Sequence, residues 1–598
     1  MLRIACLGLT AVVLIAGAAA SLAGDDPTQI AEDSLGQVSI AEAIESGDKG
    51  HEDVDPKQLH IEPGLQPRSP RMVIQRGGFV TTQVNVDANG MNIVGDAGNE
   101  PSIGVDPTAP NRMAIGWRQF DSILSNFREA GYSFSVDGGR SWAEKQEIES
   151  LTFRSDPVLE VSPDGVFYYM SLGIEPFPNG PFFNDMFLST DGGATWPGKV
   201  FAFGGDKAWY AIDTTGGPAN GNIYQSWNTA GNEFFPAQFN RSTDSGLTWS
   251  QPVPISQMPR FGTQAVGPDG ELYVCGIDGL SRFWVVRSDD ADTTDAATFS
   301  QSSLVDMGGT MLIGLGVNPA GLLGQAEIEV DISDGPRHGF VYMLCSVTVP
   351  GNDVIDIAFV RSEDGGITWS DPVRINDDSL SMHAWQWFGT MSIAPNGRLD
   401  VVWLDTRNDP TPNSPDTSQL FTSSSNDGGV TWTTNQAVTG SFSHFVGYPQ
   451  QNKLGDYFDM RSDLLGADLA WAATFNGEQD VYHTRLGAYD CDADGVSDTD
   501  QIALNVDLDC NDNGLLDSCE IAANVEVDVN FNGIPDSCDP ACEADINNDG
   551  VVDTADLGAL VGIFGGAGPF GDINNDGVVD TADLGVLIAE FGTICPEA

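Results

Sequence analysis

The chain has 598 residues, too many for one ordinary domain, and predicts two to four. Acidic residues outnumber basic ones 86 to 26, a formal charge of -60; that excludes nucleic acid as a partner, because phosphate contacts need clustered Lys and Arg. The excess is concentrated, since residues 488–598 hold 25 Asp or Glu and no Lys or Arg, and such a block either stays solvated or binds cations.

The N-terminus predicts a signal peptide over residues 1–23. Arg3 supplies the positive end, Leu7 to Ala20 the apolar run, and Ala18, Ala20 and Ala23 the small residues of a cleavage site. The expected location is outside the cell or on its surface. No later run is apolar for long enough to span a bilayer, so no membrane span is expected after signal cleavage. Eight cysteines remain beyond the signal, an even number in an exported chain, and disulfides are permitted. Residues 24–78 are acidic, carry scattered Pro, Gly and Ser, and predict a linker.

From residue 79 to 487 the composition turns β-rich, and one phrase recurs: Ser-x-Asp-x-Gly-x-x-Trp. It runs from Ser135 through Asp137 and Gly139 to Trp142, and returns at Ser189–Trp196, Ser242–Trp249, Ser362–Trp369 and Ser425–Trp432. A decayed copy lies between Ser288 and Phe299. The pattern is that of a hairpin turn: the carboxylate accepts turn N–H groups, Gly supplies positive φ, and Trp packs into a sheet core. A looser unit of strand, Pro/Asp/Gly turn and strand starts seven times, near Pro101, Asp156, Asp206, Arg260, Gln325, Trp385 and Gly455. These phrases resemble the Asp-box, or BNR, repeat of sialidases and related propellers. The resemblance implies a mainly β fold, an Asp-box β-propeller with four strands per blade, in which the box is structural. Asp137, Asp191, Asp244, Asp364 and Asp427 are therefore not expected to be catalytic. Seven starts favour seven blades, with six as the alternative, and closure is expected to use an early strand near Phe79 to Val86. The five box Trp side chains are expected to be buried.

If the boxes join strands three and four, they share one face. The turns before strand one and after strand two then lie on the other face, around the axis. That face collects Asn99, Glu100, Arg118, Asp156, Asp206, Lys207, Trp209, Trp227, Trp385, Asp405, Arg407 and Asp456. Carboxylates, cations and Trp together suit an extracellular glycan or polysaccharide. The carboxylates expected to act, if the chain is an enzyme, are Asp156, Asp206, Asp405 and Asp456. The expected substrate contacts are Arg118, Lys207, Trp209 and Arg407. A sialidase mechanism would require three arginines, a Tyr nucleophile activated by Glu, and an Asp acid/base. The family's Phe/Tyr-Arg-Ile-Pro motif is absent, Phe153-Arg154-Ser155-Asp156-Pro157 being a faint echo, and no Tyr nucleophile is assignable from the sequence. True sialidase activity is therefore not expected; a glycoside hydrolase, a polysaccharide lyase, a binding propeller and a structural surface protein all stay open.

Residues 488–541 hold three loops with oxygen ligands at positions 1, 3, 5, 9 and 12, Gly at 6 and a backbone carbonyl at 7. The first is Asp490, Asp492, Asp494, Val496 and Asp498, with Gln501 twelfth. The second is Asp509, Asn511, Asn513, Leu515, Asp517 and Glu520. The third is Asp528, Asn530, Asn532, Ile534, Asp536 and Asp539. Cys491, Cys510, Cys519 and Cys538 sit at loop positions 2 or 11. These loops resemble thrombospondin type 3 calcium repeats, where ions and disulfides replace an apolar core. Cys510 and Cys519 are expected either to pair with each other or to link neighbouring repeats.

Residues 542–598 repeat the spacing twice, each time before an apolar helical stretch (Leu557 to Phe564 and Leu584 to Phe591). The ligands are Asp545, Asn547, Asp549, Val551, Asp553 and Asp556, then Asp572, Asn574, Asp576, Val578, Asp580 and Asp583. Hard oxygen donors on a flexible loop select calcium over zinc or copper. This module resembles a type I dockerin, which implies a small helical module and a cohesin-like partner. Its helices carry Thr-Ala-Asp-Leu-Gly where cohesin-binding dockerins have Ser/Thr pairs and basic residues. Cys542 and Cys595 are expected to pair, and Cys275 and Cys345 to be buried thiols on different blades. The whole tail is expected to fold only with calcium, leaving the propeller largely intact when the ion is removed.

Overall fold

The computed structural model describes residues 66–595, except 230, 350, 352, 381–382, 412, 529–532, 539–543, 548, 567–570 and 575. The signal peptide, most of the acidic linker, Asn530, Asn532, Asp539 and Cys542 thus lie outside the described residues.

Seven antiparallel sheets follow one another along the chain. Blades 1 to 6 span residues 97–148, 155–201, 209–242, 264–305, 327–374 and 386–437. Blade 7 combines Asp459–Ser462, Gly466–Ala473 and Asp480–Gly487 with two N-terminal strands, Phe79–Gln83 and Val73–Arg76. The first strand of each blade packs against the first strands of its two neighbours, which closes a ring. The favoured count of seven blades is the correct one, and six is not. Closure uses the expected early strand, with Val80 opposite Arg485 and Gln83 opposite Tyr482. Blade 3 has three strands, and its fourth is reduced to a single bridge between Phe239 and Val253.

The recurring turns are built alike. In blade 1 the Ser135 hydroxyl donates to Asp137 (2.8 Å) and accepts from the Gly139 N–H (2.9 Å), while Asp137 accepts from the Ser141 N–H (2.8 Å). Gly139 has φ 78°, and a Cβ there would sit 2.3 Å from the His483 ring, so glycine is required twice over. In blade 4 four extra residues are absorbed: Asp290 caps Thr298, eight residues on, rather than four. Of the five turn tryptophans only Trp142 is buried, at 6 % exposure. Trp196, Trp249, Trp369 and Trp432 are half-buried, which corrects the expectation. The reason is their position at the sheet margin, where each ring covers an interblade seam instead of entering a core. Trp142 meets His483 of blade 7 at 5.5 Å, Trp196 meets Tyr132 of blade 1 at 6.0 Å, and Trp432 meets Phe359 of blade 5 at 5.1 Å.

Four helices follow among the described residues: α1 (Asp498–Leu504), α2 (Asp517–Ala522), α3 (Thr554–Gly562) and α4 (Thr581–Ala589). The last two begin three residues before the expected apolar stretches. Asp553 and Asp580 cap them, each paired with an acid at N3 in a reciprocal box, so acids of the loops themselves nucleate the helices. Leu560 and Leu587 pack with Ile546, Val552, Ile573 and Val579 in a small core. Disulfides join Cys491 to Cys519 and Cys510 to Cys538, linking successive loops. Cys595 is also disulfide-bonded. Cys275 and Cys345 are buried free thiols on blades 4 and 5. No helix among the described residues is long and apolar enough to cross a membrane.

Candidate functional site

One local device positions the axial side chains. Near the start of every inner strand, one residue adopts a left-handed backbone: Glu100, Asp156, Lys207, Phe261, Gly324, Phe388 and Gly455. In blades 1, 2 and 6 the strand register slips at that point. Five of the seven are not glycine, a cost that persists only where the surroundings enforce it. The result is that blades 7, 1, 2 and 3 converge their charged side chains.

Those side chains form a chain of alternating charge. Arg118 lies 3.0 Å from Glu100, which lies 3.1 Å from Lys453. Lys453 reaches Asp456 at 2.7 Å, and Asp456 shares Lys207 (2.9 Å) with Asp156 (3.2 Å) and Asp206 (3.6 Å). Arg128 stands beside them, held by the Asn126 carbonyl (3.0 Å) and the Ser155 hydroxyl (3.1 Å). Asp456 also accepts the Leu322 N–H at 2.9 Å, and Asn99 accepts from Arg118 at 2.8 Å. Glu100, Arg118 and Lys453 are 0 % exposed; Asp206, with 14 % of its side chain accessible, is the most open member.

Burial and partners split the carboxyls. Burial raises Glu100 to about 7, against the pull of Arg118 and Lys453. Burial also acts to raise Asp156 and Asp456, but Lys207, Lys453 and Arg118 together outweigh it and hold both below the ordinary carboxylate range. Burial lowers Lys453 and brings Arg128 down to about 10. One carboxyl that titrates near neutrality thus sits in the same network as two that stay ionised, the arrangement from which acid and base roles are made.

Of the residues predicted for this face, Asn99, Glu100, Arg118, Asp156, Asp206, Lys207 and Asp456 come together. Asp405 and Arg407 do not join them. They pair with each other at 2.8 Å, and Arg407 extends to Asp377 at 2.7 Å, in a separate cluster shared by blades 5 and 6. Trp209 is 7 % exposed and packs edge-on against Tyr457 at 5.4 Å, so it contributes to the core. Lys453, Arg128 and the Glu100 carboxyl were missed as actors. Lys453 has no motif around it, and only its position three residues before Asp456 hints at a shared site. Tyr457 lies against the same network, but its hydroxyl donates to the Pro157 carbonyl (2.7 Å) and burial raises its pKa, so it is not poised as a nucleophile.

Further along the axis lies a second group. Arg461 of blade 7 reaches Glu160 of blade 2 at 2.8 Å and Asp459 at 2.6 Å. Glu327 and Glu329 of blade 5 interact with the same arginine and with Asp459, and Glu329 also with Glu160.

Two acid clusters in the C-terminal loops could hold a metal ion. Oxygens of Asp490, Asp492 and Asp494 lie within 4.8 Å of one another, as do those of Asp545, Asp549 and Asp556. The first ligand orders each loop through the backbone: Asp545 accepts from Gly550 N–H at 2.9 Å and Asp572 from Gly577 N–H at 2.7 Å. Glycine at position 6 has positive φ in all five loops. In the second loop Glu520 is held instead by Asn511 and Asn513.

The sequence matches no family model and no curated protein. Solved structures similar to the chain include a protein of unknown function from Dyadobacter fermentans (15% identity, 68% of this chain and 97% of that one, TM-score 0.39). Others are the endosialidase of phage phi92 (10% identity, 70% of each chain, TM-score 0.39) and the PL25 ulvan lyase (10% identity, 66% of this chain and 94% of that one, TM-score 0.36). At such identities the likeness concerns the fold alone.

Proposed function

We propose that the chain is a secreted, calcium-binding modular protein whose propeller binds or hydrolyses extracellular glycans through its axial face. The observation that carries the propeller half is the network around Lys207, in which Glu100 titrates near neutrality while Asp156 and Asp456 stay ionised. General acid and ionised carboxylate are the two roles a glycosidase needs. The calcium half rests on the five loops of one spacing. Asp490, Asp492 and Asp494, and Asp545, Asp549 and Asp556, would supply the carboxylate oxygens, with backbone carbonyls of Val496 and Val551 at position 7. A bound ion would neutralise the crowded acids and fix the loops; a cohesin-like module is the expected partner of the C-terminal pair.

The test is a glycan array with the full chain, followed by reducing-sugar and unsaturated-product assays on every polysaccharide bound. Asp456→Asn, Asp156→Asn and Glu100→Gln should each lower binding or turnover at least tenfold. Unchanged binding and turnover in all three would remove the axial face from the function. A second reading, a binding or structural surface protein, is favoured by the closure of the network, since Glu100, Arg118 and Lys453 are 0 % exposed. Glycan capture with no product formed over days would decide for it.

A further inference from the structure

The first calcium loop is part of the propeller's closure. It begins at Asp490, three residues after the closing-blade strand Asp480–Gly487 ends. The connecting residue Tyr489 lies with its ring 3.8 Å from the Arg140 guanidinium and 5.7 Å from that of Arg485. Arg140 belongs to the recurring turn of blade 1, where it donates to the Asp137 carbonyl at 2.9 Å; Arg485 belongs to blade 7 and donates to the Ala488 carbonyl at 3.1 Å. Tyr489 therefore bridges the first and last blades at the seam where the ring is joined. Trp142 and His483 meet across the same seam.

The loop is joined to this bridge through its ninth position. Asp498, its ninth position, is 0 % exposed; one oxygen accepts the Cys491 N–H at 2.8 Å and the other, equally buried, has no hydrogen-bond partner. Its backbone N–H donates to the Tyr489 carbonyl at 3.0 Å. The twelfth position is similar: Gln501 donates to Asp492 (3.0 Å) and Asp494 (3.1 Å), while its amide oxygen is buried without a partner. A buried carboxylate oxygen and a buried amide oxygen without donors are costly unless a cation takes them up.

We propose that calcium in loop 490–501 is a latch: by fixing Asp498 and the backbone of Tyr489, it holds blade 7 against blade 1 and stabilises the closed propeller. The proposal rests on the calcium reading above, and it revises the expectation that ion removal spares the propeller. Ligand that binds only the latched form must raise the stability of everything coupled to it.

All thirteen tryptophans lie between residues 117 and 471, so intrinsic tryptophan fluorescence reports the propeller and not the tail. The full chain is melted by that signal with millimolar calcium and with chelator, while terbium luminescence counts occupied loops. Calcium should raise the tryptophan midpoint by several degrees. Tyr489→Ala should abolish that shift with terbium binding retained. Asp490→Asn with Asp492→Asn should abolish it with the loss of one site, whereas Asp545→Asn with Asp572→Asn should leave it in place. Coincident wild-type melts despite bound terbium would overturn the latch and leave calcium binding standing. No ion bound at millimolar concentration would overturn the calcium reading as well.

Discussion

Single side chains decide how the turns hold, and the aspartate of each Ser-x-Asp turn is the clearest case. Asp364 accepts from the Thr368 N–H (2.8 Å), the Thr368 hydroxyl (2.6 Å) and the Ser362 hydroxyl (2.8 Å). Asp364→Ala leaves the turn N–H to water, since the site is exposed, and should cost about 1 kcal/mol in denaturant unfolding. It should leave glycan binding unchanged, because the turn lies on the face opposite the axial network. The role of these aspartates was legible in the sequence, because the spacing alone specifies which N–H the carboxylate reaches. The partners of Lys453 were not. Their approach depends on the left-handed residues near the inner-strand starts, and nothing local in Glu100-Pro101 or Asp156-Pro157 distinguishes that backbone from an extended one.

At the scale of elements, the helices of the C-terminal module are capped by acids of the loops that precede them. Asp553 caps α3 through the Ala555 N–H (2.6 Å) while Asp556 returns to the Asp553 N–H (2.8 Å). A chelator should remove both helices together, because the crowded acids then repel and the small core around Leu560 and Leu587 cannot offset them. Circular dichroism of the full chain should show a loss of helical signal on chelation, restored by calcium and not by potassium. Trypsin has no Lys or Arg to cut in residues 488–598, so an acid-specific or thermolysin-type protease is required to follow the accompanying exposure. Blade count was readable from the seven strand-turn-strand units. The fate of the turn tryptophans was not, because whether a ring enters a sheet core or covers a seam depends on blade-to-blade geometry that no single repeat contains.

For the whole molecule, the axis sets a pH dependence. Burial raises Glu329 to about 8 and Glu160 to about 7, with Arg461 opposing and Asp459 reinforcing the shift. Unfolded glutamates release their protons near pH 4.5, so the folded chain binds more protons between there and about pH 8. The stability these groups contribute is complete at the acidic end of that window and is lost as pH rises through it. Asp156 and Asp456 act oppositely, since their lowered values contribute stability that disappears only below about pH 4. The tryptophan-detected melting temperature should therefore decline from about pH 5 to about pH 8, and Glu329→Gln should flatten the decline. Glu160 keeps 22 % of its side-chain surface exposed and Glu329 is also only partly buried, so solvent tempers the share of both; Glu329, with the larger upward shift, is the variant to make. The ring topology carries a different consequence for how the molecule is made. Thr81 and Thr484, hydroxyl to hydroxyl at 2.8 Å, are separated by 403 residues of sequence. An N-terminal strand waits for the propeller strand synthesised last, and until then two unpaired edges are open to any passing strand. Closure of so long a loop is slow, so a nascent chain released early, or cut before residue 480, is left as an open arc with two adhesive ends.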